Sequence, residues 1–180
     1  RGYNDTGKGR HDLRFSAGGD VTRDLPARRA QEEYDKAAQA YRDGRPGHAA
    51  YFLGAAMHYI GDLSQYGHTI KGETHHADFE AWAAALTPSF DGGGVFEKFI
   101  VPDGLEVRRA DDAVLRTGRF TWTGQAPVLS PRDMDTRFTD DAAADAAFIA
   151  STGHSLNKAV NEAADMLFGF YETVVKPEGR

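Results

Sequence analysis

The sequence predicts an all-α protein, a single-domain helical bundle that spans residues 1–180. Apolar residues recur at helical spacing in several long stretches, whereas a strand-like pattern is confined to one short segment. No repeat, low-complexity tract or linker divides the chain, and 180 residues are enough to bury a core without disulfides. The helices below are therefore expected to surround one core.

The first regular element is expected only after residue 20, because the glycines, aspartates and basic residues before it are typical of an irregular loop. A helix is predicted from Asp24 to Tyr41, with Asp24 as its cap and Pro26 in its first turn. A second helix is predicted from His48 to Asp62. It is apolar nearly all round, which indicates a central position in the bundle.

The second half of the chain is less regular. A third helix is predicted from His75 to Leu86, and residues 95–131 show no clear period. Within them Phe120–Thr123 favours either a short strand or an ordered aromatic loop. The helical pattern returns at Asp140 and continues to Val175, and Ser151–Gly153 leaves open whether this is two helices or one kinked helix.

Composition excludes several classes of function. The chain has no cysteine, so Cys-based zinc fingers, thiol nucleophiles and disulfides are excluded. Its net charge is −6 and it has no long basic run, which gives no support to nucleic-acid binding. No apolar run approaches the roughly 20 residues that cross a bilayer, so no transmembrane segment is expected. The start at Arg1 suggests a processed product whose upstream segment has been removed.

The stretch HYIGDLSQYGHTIKGETHHADFE contains the best candidate metal ligands. His58 and Asp62 are four residues apart, as are His76 and Glu80, and this spacing places two side chains on one helix face. His68 lies between the pairs in a loop. Imidazole with carboxylate favours zinc or a similar divalent ion. His68, His76 and Glu80 form a complete three-ligand set, whereas His58 and Asp62 form half of another.

Other polar residues receive simpler interpretations. His11 and Asp12 could bind a metal, but His11 is expected to be a solvated loop histidine, and Glu73 is expected to be a solvated loop charge rather than an accessory ligand. His75 is expected to point away from His76, towards solvent or behind the ligands. The two remaining histidines, His48 and His154, are expected to be structural.

The segment HYIGDLSQYGH resembles the signature of the bacterial zinc-dependent phospholipase C family, H-Y-x-G-D-x-x-Q-P-x-H, which is followed by H-x-x-x-E. Here His76–Glu80 supplies that second part, and Tyr66 stands where the family has proline. The apolar approach to His58, the loop Tyr3–Lys8 and the segment Gly118–Trp122 are similar as well. The resemblance covers most of the chain.

Members of that family are all-helical secreted enzymes with three zinc ions, which hydrolyse phospholipids, typically phosphatidylcholine, to diacylglycerol and a phosphorylated headgroup. The resemblance implies that His68, His76 and Glu80 hold one zinc. It implies that His58 and Asp62 help to hold a second, with Asp62 bridging to a third. It also implies a metal-activated water as attacking group, a membrane-surface substrate and an extracellular location.

The family's remaining ligands would precede Arg1 in this alignment. Three explanations stay open: a separate N-terminal chain that completes the site, a fragment with one complete zinc site and a vacant half-site, or local replacement by His11 and Asp12. Two rival functions also stay open. One is a zinc nuclease of the S1/P1 type acting on single-stranded nucleic acid, although Glu80 stands where those enzymes usually have aspartate. The other is a non-catalytic helical binding module stabilised by metal.

Overall fold

Helices dominate the computed structural model, which describes residues 10–87, 93–124, 129–138 and 145–178, and the all-α prediction is confirmed. The helices and strands are β1 Arg14–Phe15, β2 Val21–Arg23, α1 Leu25–Arg42, α2 Pro46–Asp62, α3 His76–Ala85, α4 Ala110–Thr123, α5 Pro131–Arg137 and α6 Ala146–Phe170. Short 3₁₀ turns lie at Tyr66–His68 and Glu97–Phe99, and α6 continues through a π turn, Tyr171–Val175, into a last turn, Lys176–Glu178. The loop Tyr3–Lys8 lies outside the described residues.

Two predictions about secondary structure are wrong. The segment before residue 24 is not wholly irregular, because β1 and β2 pair as a small antiparallel hairpin. Phe120–Thr123 is neither a strand nor a loop but the last turn of α4, where Phe15 of β1 packs on Trp122 at a ring-centroid distance of 4.8 Å. Ser151–Gly153 lies inside the uninterrupted helix α6.

The main core lies among α1, α2, α4 and α6. Small residues line it, so the helices approach closely, and Tyr59 and Ile60 of α2 are fully buried there as the pattern of α2 predicts. Leu13, which precedes the hairpin, is also fully buried in this core. The chain at Leu13 is therefore fastened to the bundle rather than lying free on its surface.

A second core is built mainly from aromatic side chains around α3, α5 and the start of α6. Phe79 of α3 contacts Tyr66, Trp82, Phe138 and Phe148 with ring-centroid distances of 4.9 to 6.1 Å. Edge-to-face packing of this kind fixes ring orientation as well as burying area. Helix α3 thus belongs to a different core from α2, and the candidate metal ligands of the two helices come together where the two cores meet.

Helix α6 also holds the extended segment of residues 100–109. Asn161 donates to the carbonyl of Val101 at 2.9 Å, and the amide of Glu106 donates to Asp165 at 2.8 Å. Glu162 is 1 % exposed and pairs with Arg108, Arg116 and Lys158, with N–O distances from 2.6 to 3.2 Å. These partners offset the cost of burying its carboxylate.

In the described part of the chain no helix is both long and apolar enough to cross a membrane.

Gly169 of α6 tests this packing. A Cβ at Gly169 would lie 2.5 Å from the backbone oxygen of Arg108 and 2.9 Å from its nitrogen, and backbone atoms cannot move aside cheaply. We expect Gly169→Ala to lower the free energy of unfolding by about 1–3 kcal/mol in urea titrations.

Gly54→Ala is the matched control, because Gly54 lies in the exposed middle of α2 and a Cβ there meets no atom within 4 Å. It should raise stability by up to about 1 kcal/mol through helix propensity. Equal effects of the two substitutions would show that the 100–109 segment does not press on α6.

Candidate metal centre

Helix spacing brings each predicted ligand pair together. The Nε2 atom of His58 lies 3.4 Å from the Oδ2 atom of Asp62 at the end of α2, and the Nε2 atom of His76 lies 3.1 Å from the Oε1 atom of Glu80 in α3. One helical turn separates the members of each pair. The i,i+4 prediction therefore describes the geometry correctly.

The loop between the helices adds His68 to the second pair. Its Nε2 atom lies 4.0 Å from Glu80, and its ring centroid lies 4.6 Å from that of His76. Ligand atoms of His68, His76 and Glu80 all fall within 4.8 Å of one another, close enough for one cation to bind all three. The structure thus assembles the predicted set, whose role as zinc ligands stays a prediction.

His11 completes the other pair, which the sequence interpretation left as half a site. Its Nδ1 atom lies 2.5 Å from the Oδ2 atom of Asp62, and its ring lies 5.2 Å from that of His58. His11, His58 and Asp62 form a second group whose ligand atoms lie within 4.8 Å of one another. The prediction that His11 is a solvated loop side chain is wrong, since only 19 % of its side chain is exposed.

The two groups adjoin each other. The rings of His11 and His68 are 6.1 Å apart, and His11 stacks on the buried Tyr59 at 5.4 Å. Both groups combine two imidazoles with one carboxylate, a donor set that suits zinc better than the all-oxygen sites of magnesium or calcium. Three protein ligands per ion would leave a coordination position open, as in catalytic zinc sites. The arrangement suits a two-metal centre.

Two further carboxylates face the back of the histidine rings. Glu73 lies 3.2 Å from the Nδ1 atom of His76, and Asp12 lies 3.7 Å from the Nδ1 atom of His68. A carboxylate on Nδ1 favours the tautomer whose Nε2 atom is free to bind metal. Both Nε2 atoms do point towards Glu80. Glu73 and Asp12 therefore face two candidate ligands, and Glu73, whose side chain is 24 % exposed, is only partly solvated.

Charge at Asp12 agrees with this role. The neighbouring His68 side chain lowers the pKa of Asp12, and the Arg14 guanidinium lowers it further, while partial burial opposes both. Asp12 is therefore ionised across the neutral range. Its carboxylate therefore carries a negative charge where it faces the Nδ1 atom of His68, 3.7 Å away.

Gly67 and Tyr66 explain the shape of the loop that carries His68. A Cβ at Gly67 would lie 2.8 Å from the Nδ1 atom of His76 and 2.7 Å from the Oε1 atom of Gln65, so only glycine lets the loop approach α3 so closely. Tyr66 is fully buried against Phe79, and burial together with the carboxylates of Asp135 and Glu73 raises its pKa. The tyrosine at the family's proline position thus fills the second core and displaces no ligand.

The remaining histidines lie apart from both groups. His75 faces Asp78 at 3.6 Å and the ring of Phe138, as expected for a residue that points away from His76. His154 packs edge-on against Phe99, and His48 is exposed in the first turn of α2. None of the three belongs to a metal-binding group of the described residues.

A small cavity opens beside the centre. It has a volume of about 200 Å³ and lies between Asp62 of one ligand group and Glu80 of the other, with Phe79, Ala83 and Leu156 on its walls. Thr152, buried to 98 % and without a hydrogen bond for its hydroxyl among the described residues, also lines it. The cavity can therefore hold an apolar group next to the candidate ions and offer it one hydroxyl.

Comparisons with protein-family models, curated proteins and solved structures found no significant match. The resemblance in the HYIGDLSQYGH segment consequently stays an interpretation of the residues themselves.

Metal content tests the two groups separately. We expect His11→Ala to lose one zinc equivalent by elemental analysis after dialysis and to keep the other, because His68, His76 and Glu80 do not depend on His11 for a ligand. His76→Ala should show the reciprocal loss.

His48→Ala is the control, since it removes a histidine outside both groups and should leave the metal content unchanged. Equal zinc content in His11→Ala and the unsubstituted protein would show that His11 is not a ligand.

Proposed function

We propose that the chain is a zinc-dependent phosphodiester hydrolase that acts on phospholipids, releasing diacylglycerol and a phosphorylated headgroup. The observation that carries the proposal is the adjacency of the two His-His-carboxylate groups, each able to hold one ion. Paired divalent ions neutralise a phosphodiester and supply a nucleophilic water near neutral pH. The extracellular location and the phosphatidylcholine substrate that the resemblance implies belong to the same proposal.

The chain's own residues supply the rest of the chemistry. His11, His58 and Asp62 would hold one ion, and His68, His76 and Glu80 would hold the other. Glu73 would fix the ring orientation of His76, and Asp12 faces the Nδ1 atom of His68, so little reorganisation is needed when the substrate binds.

Two of the candidate ligand side chains are open to solvent. The side chains of His58 and Glu80 are 47 % and 54 % exposed, so the phosphodiester of a lipid at a membrane surface can approach from outside. The apolar cavity between Asp62 and Glu80 suits the glycerol end of such a substrate. Both features support a substrate that is part polar and part apolar.

Zinc-loaded protein should release diacylglycerol from phospholipid vesicles, and chelation should abolish the release. His76→Ala removes a ligand and should reduce activity below detection. Glu73→Gln keeps every ligand but weakens the orientation of His76, so a loss of about 10–100-fold in kcat/KM is expected. His48→Ala should match the unsubstituted protein.

Two outcomes would contradict the proposal. Zinc-dependent cleavage of single-stranded DNA without lipid hydrolysis would instead favour the nuclease function. Zinc binding that raises the melting temperature without any hydrolysis would favour a metal-stabilised binding module.

A further inference from the structure

A larger cavity of about 710 Å³ lies beside the metal centre and has a strongly positive lining. It is within the size range of small-molecule binding sites. Its walls are formed by the β1–β2 hairpin, the loop after His68, the end of α4 and the start of α5. The lining includes Asp12, Arg14, Arg23, Lys71, Trp122 and Arg132.

The cavity concentrates positive charge on an acidic protein. Four cationic side chains face one carboxylate, although the chain as a whole has a net charge of −6. That carboxylate, Asp12, is already engaged by Arg14 at 3.1 Å and by His68 at 3.7 Å. The Asp12 carboxylate therefore neutralises little of the positive electrostatic potential that the other cationic side chains create in the cavity.

Two kinds of cation line the cavity. Arg14 is held in place, because its Nη1 atom donates to the backbone oxygen of His68 at 2.6 Å while its Nη2 atom contacts Asp12. Lys71 and Arg132 are exposed, and neither forms an ion pair within the described parts of the chain. Their charges are therefore available to a ligand.

The cavity adjoins the candidate metal centre, although none of the six candidate ligands lines it. Asp12 lines the cavity and faces the ring of His68, and Thr69, the next residue after that candidate ligand, is also on its wall. A headgroup whose phosphodiester lies at the ions would therefore reach the cavity past Asp12. Trp122, which packs on Phe15, supplies a flat wall against which a ring can lie.

We propose that this cavity binds a second anionic group, a phosphate monoester, on the headgroup of the phospholipid substrate. The inference rests on the proposed function and adds, among phospholipid substrates, a preference for anionic headgroups such as a phosphorylated inositol over phosphatidylcholine. A quaternary ammonium headgroup would meet like charge here, whereas a phosphate monoester would pair with Lys71 and Arg132.

The distribution of charge favours a headgroup over a nucleic acid. A single-stranded nucleic acid is bound along a basic groove that follows many phosphates. Here the cations surround one cavity, whereas Glu80 and Asp62 belong to the candidate ligand groups and do not line it. One additional phosphate fits this pattern better than a chain of them.

Binding of soluble headgroups to the zinc-loaded protein tests the inference without requiring catalysis. Inositol 1,4-bisphosphate and inositol 1-phosphate are titrated while tryptophan fluorescence is followed, because Trp122 lines the cavity. The bisphosphate should bind about tenfold more tightly than the monophosphate, as expected for a charged hydrogen-bonded contact. In K71Q/R132Q the ratio of the two dissociation constants should fall from about ten to less than about two.

R28Q/K98Q is the matched control. It removes the same charge from exposed positions outside the cavity, on α1 and in the Glu97–Phe99 turn, and should keep the tenfold ratio. Circular dichroism and zinc content verify that both double variants are folded. Equal affinity of the unsubstituted protein for the two inositol phosphates would overturn the inference, as would an equal loss of the ratio in R28Q/K98Q.

Hydrolysis distinguishes this inference from the proposed function. Vesicles with phosphatidylinositol 4-phosphate should show a lower KM than phosphatidylcholine vesicles with matched acyl chains, and K71Q/R132Q should remove the difference. Lipid hydrolysis without that preference would overturn the inference and leave the proposed function standing. K71Q/R132Q could also weaken the binding of a single-stranded oligonucleotide while leaving the binding of the inositol phosphates unchanged. That result would assign the cavity to nucleic acid and would overturn the inference too.

Discussion

The attachment of Leu13 to the loop at His68 holds the candidate site together. The amide of Leu13 donates to the carbonyl of His68 at 3.0 Å, and Arg14 donates to the same oxygen at 2.6 Å. The Leu13 side chain is fully buried in the main core, where Gly118 leaves room for it. Burial of such a side chain contributes about 1.5–3 kcal/mol, which outweighs what one hydrogen bond contributes alone. Burial of Leu13 therefore sets the position of the N-terminal loop on the bundle. The two hydrogen bonds to His68 set the register of that loop against the His68 loop.

That register determines which polar residues meet. With Leu13 fixed, His11 lies against Asp62 and Asp12 faces the ring of His68. Arg14 lies on the far side of Asp12, where it lines the larger cavity. One short segment thus contributes a candidate ligand, an orienting carboxylate and a cation, and a shift of one residue along the loop would exchange their places.

The sequence predicted those parts of the site that depend on local spacing. His58 with Asp62, and His76 with Glu80, are pairs whose geometry follows from the helix itself, so a period of 3.6 residues was sufficient. The helices α1, α2 and α3 were placed within two residues of their ends for the same reason. His11 could not be found in this way, because its partners are 47 and 51 residues distant and tertiary packing alone brings them together. The signal that existed was Leu13, an apolar residue directly after two polar candidate ligands in a mainly polar stretch.

The charges of the centre explain why the cationic cavity, rather than the ions, is suited to discriminate between headgroups. Four carboxylates surround the two ligand groups, those of Asp12, Asp62, Glu73 and Glu80. Two zinc ions would act on the phosphodiester group that all phospholipids share, so the ions would attract different phospholipids about equally. Preference must then come from groups farther along the substrate. The cavity beside the candidate centre is lined by Arg14, Arg23, Lys71 and Arg132, which under the proposed function would distinguish headgroups by charge before the reacting atoms meet.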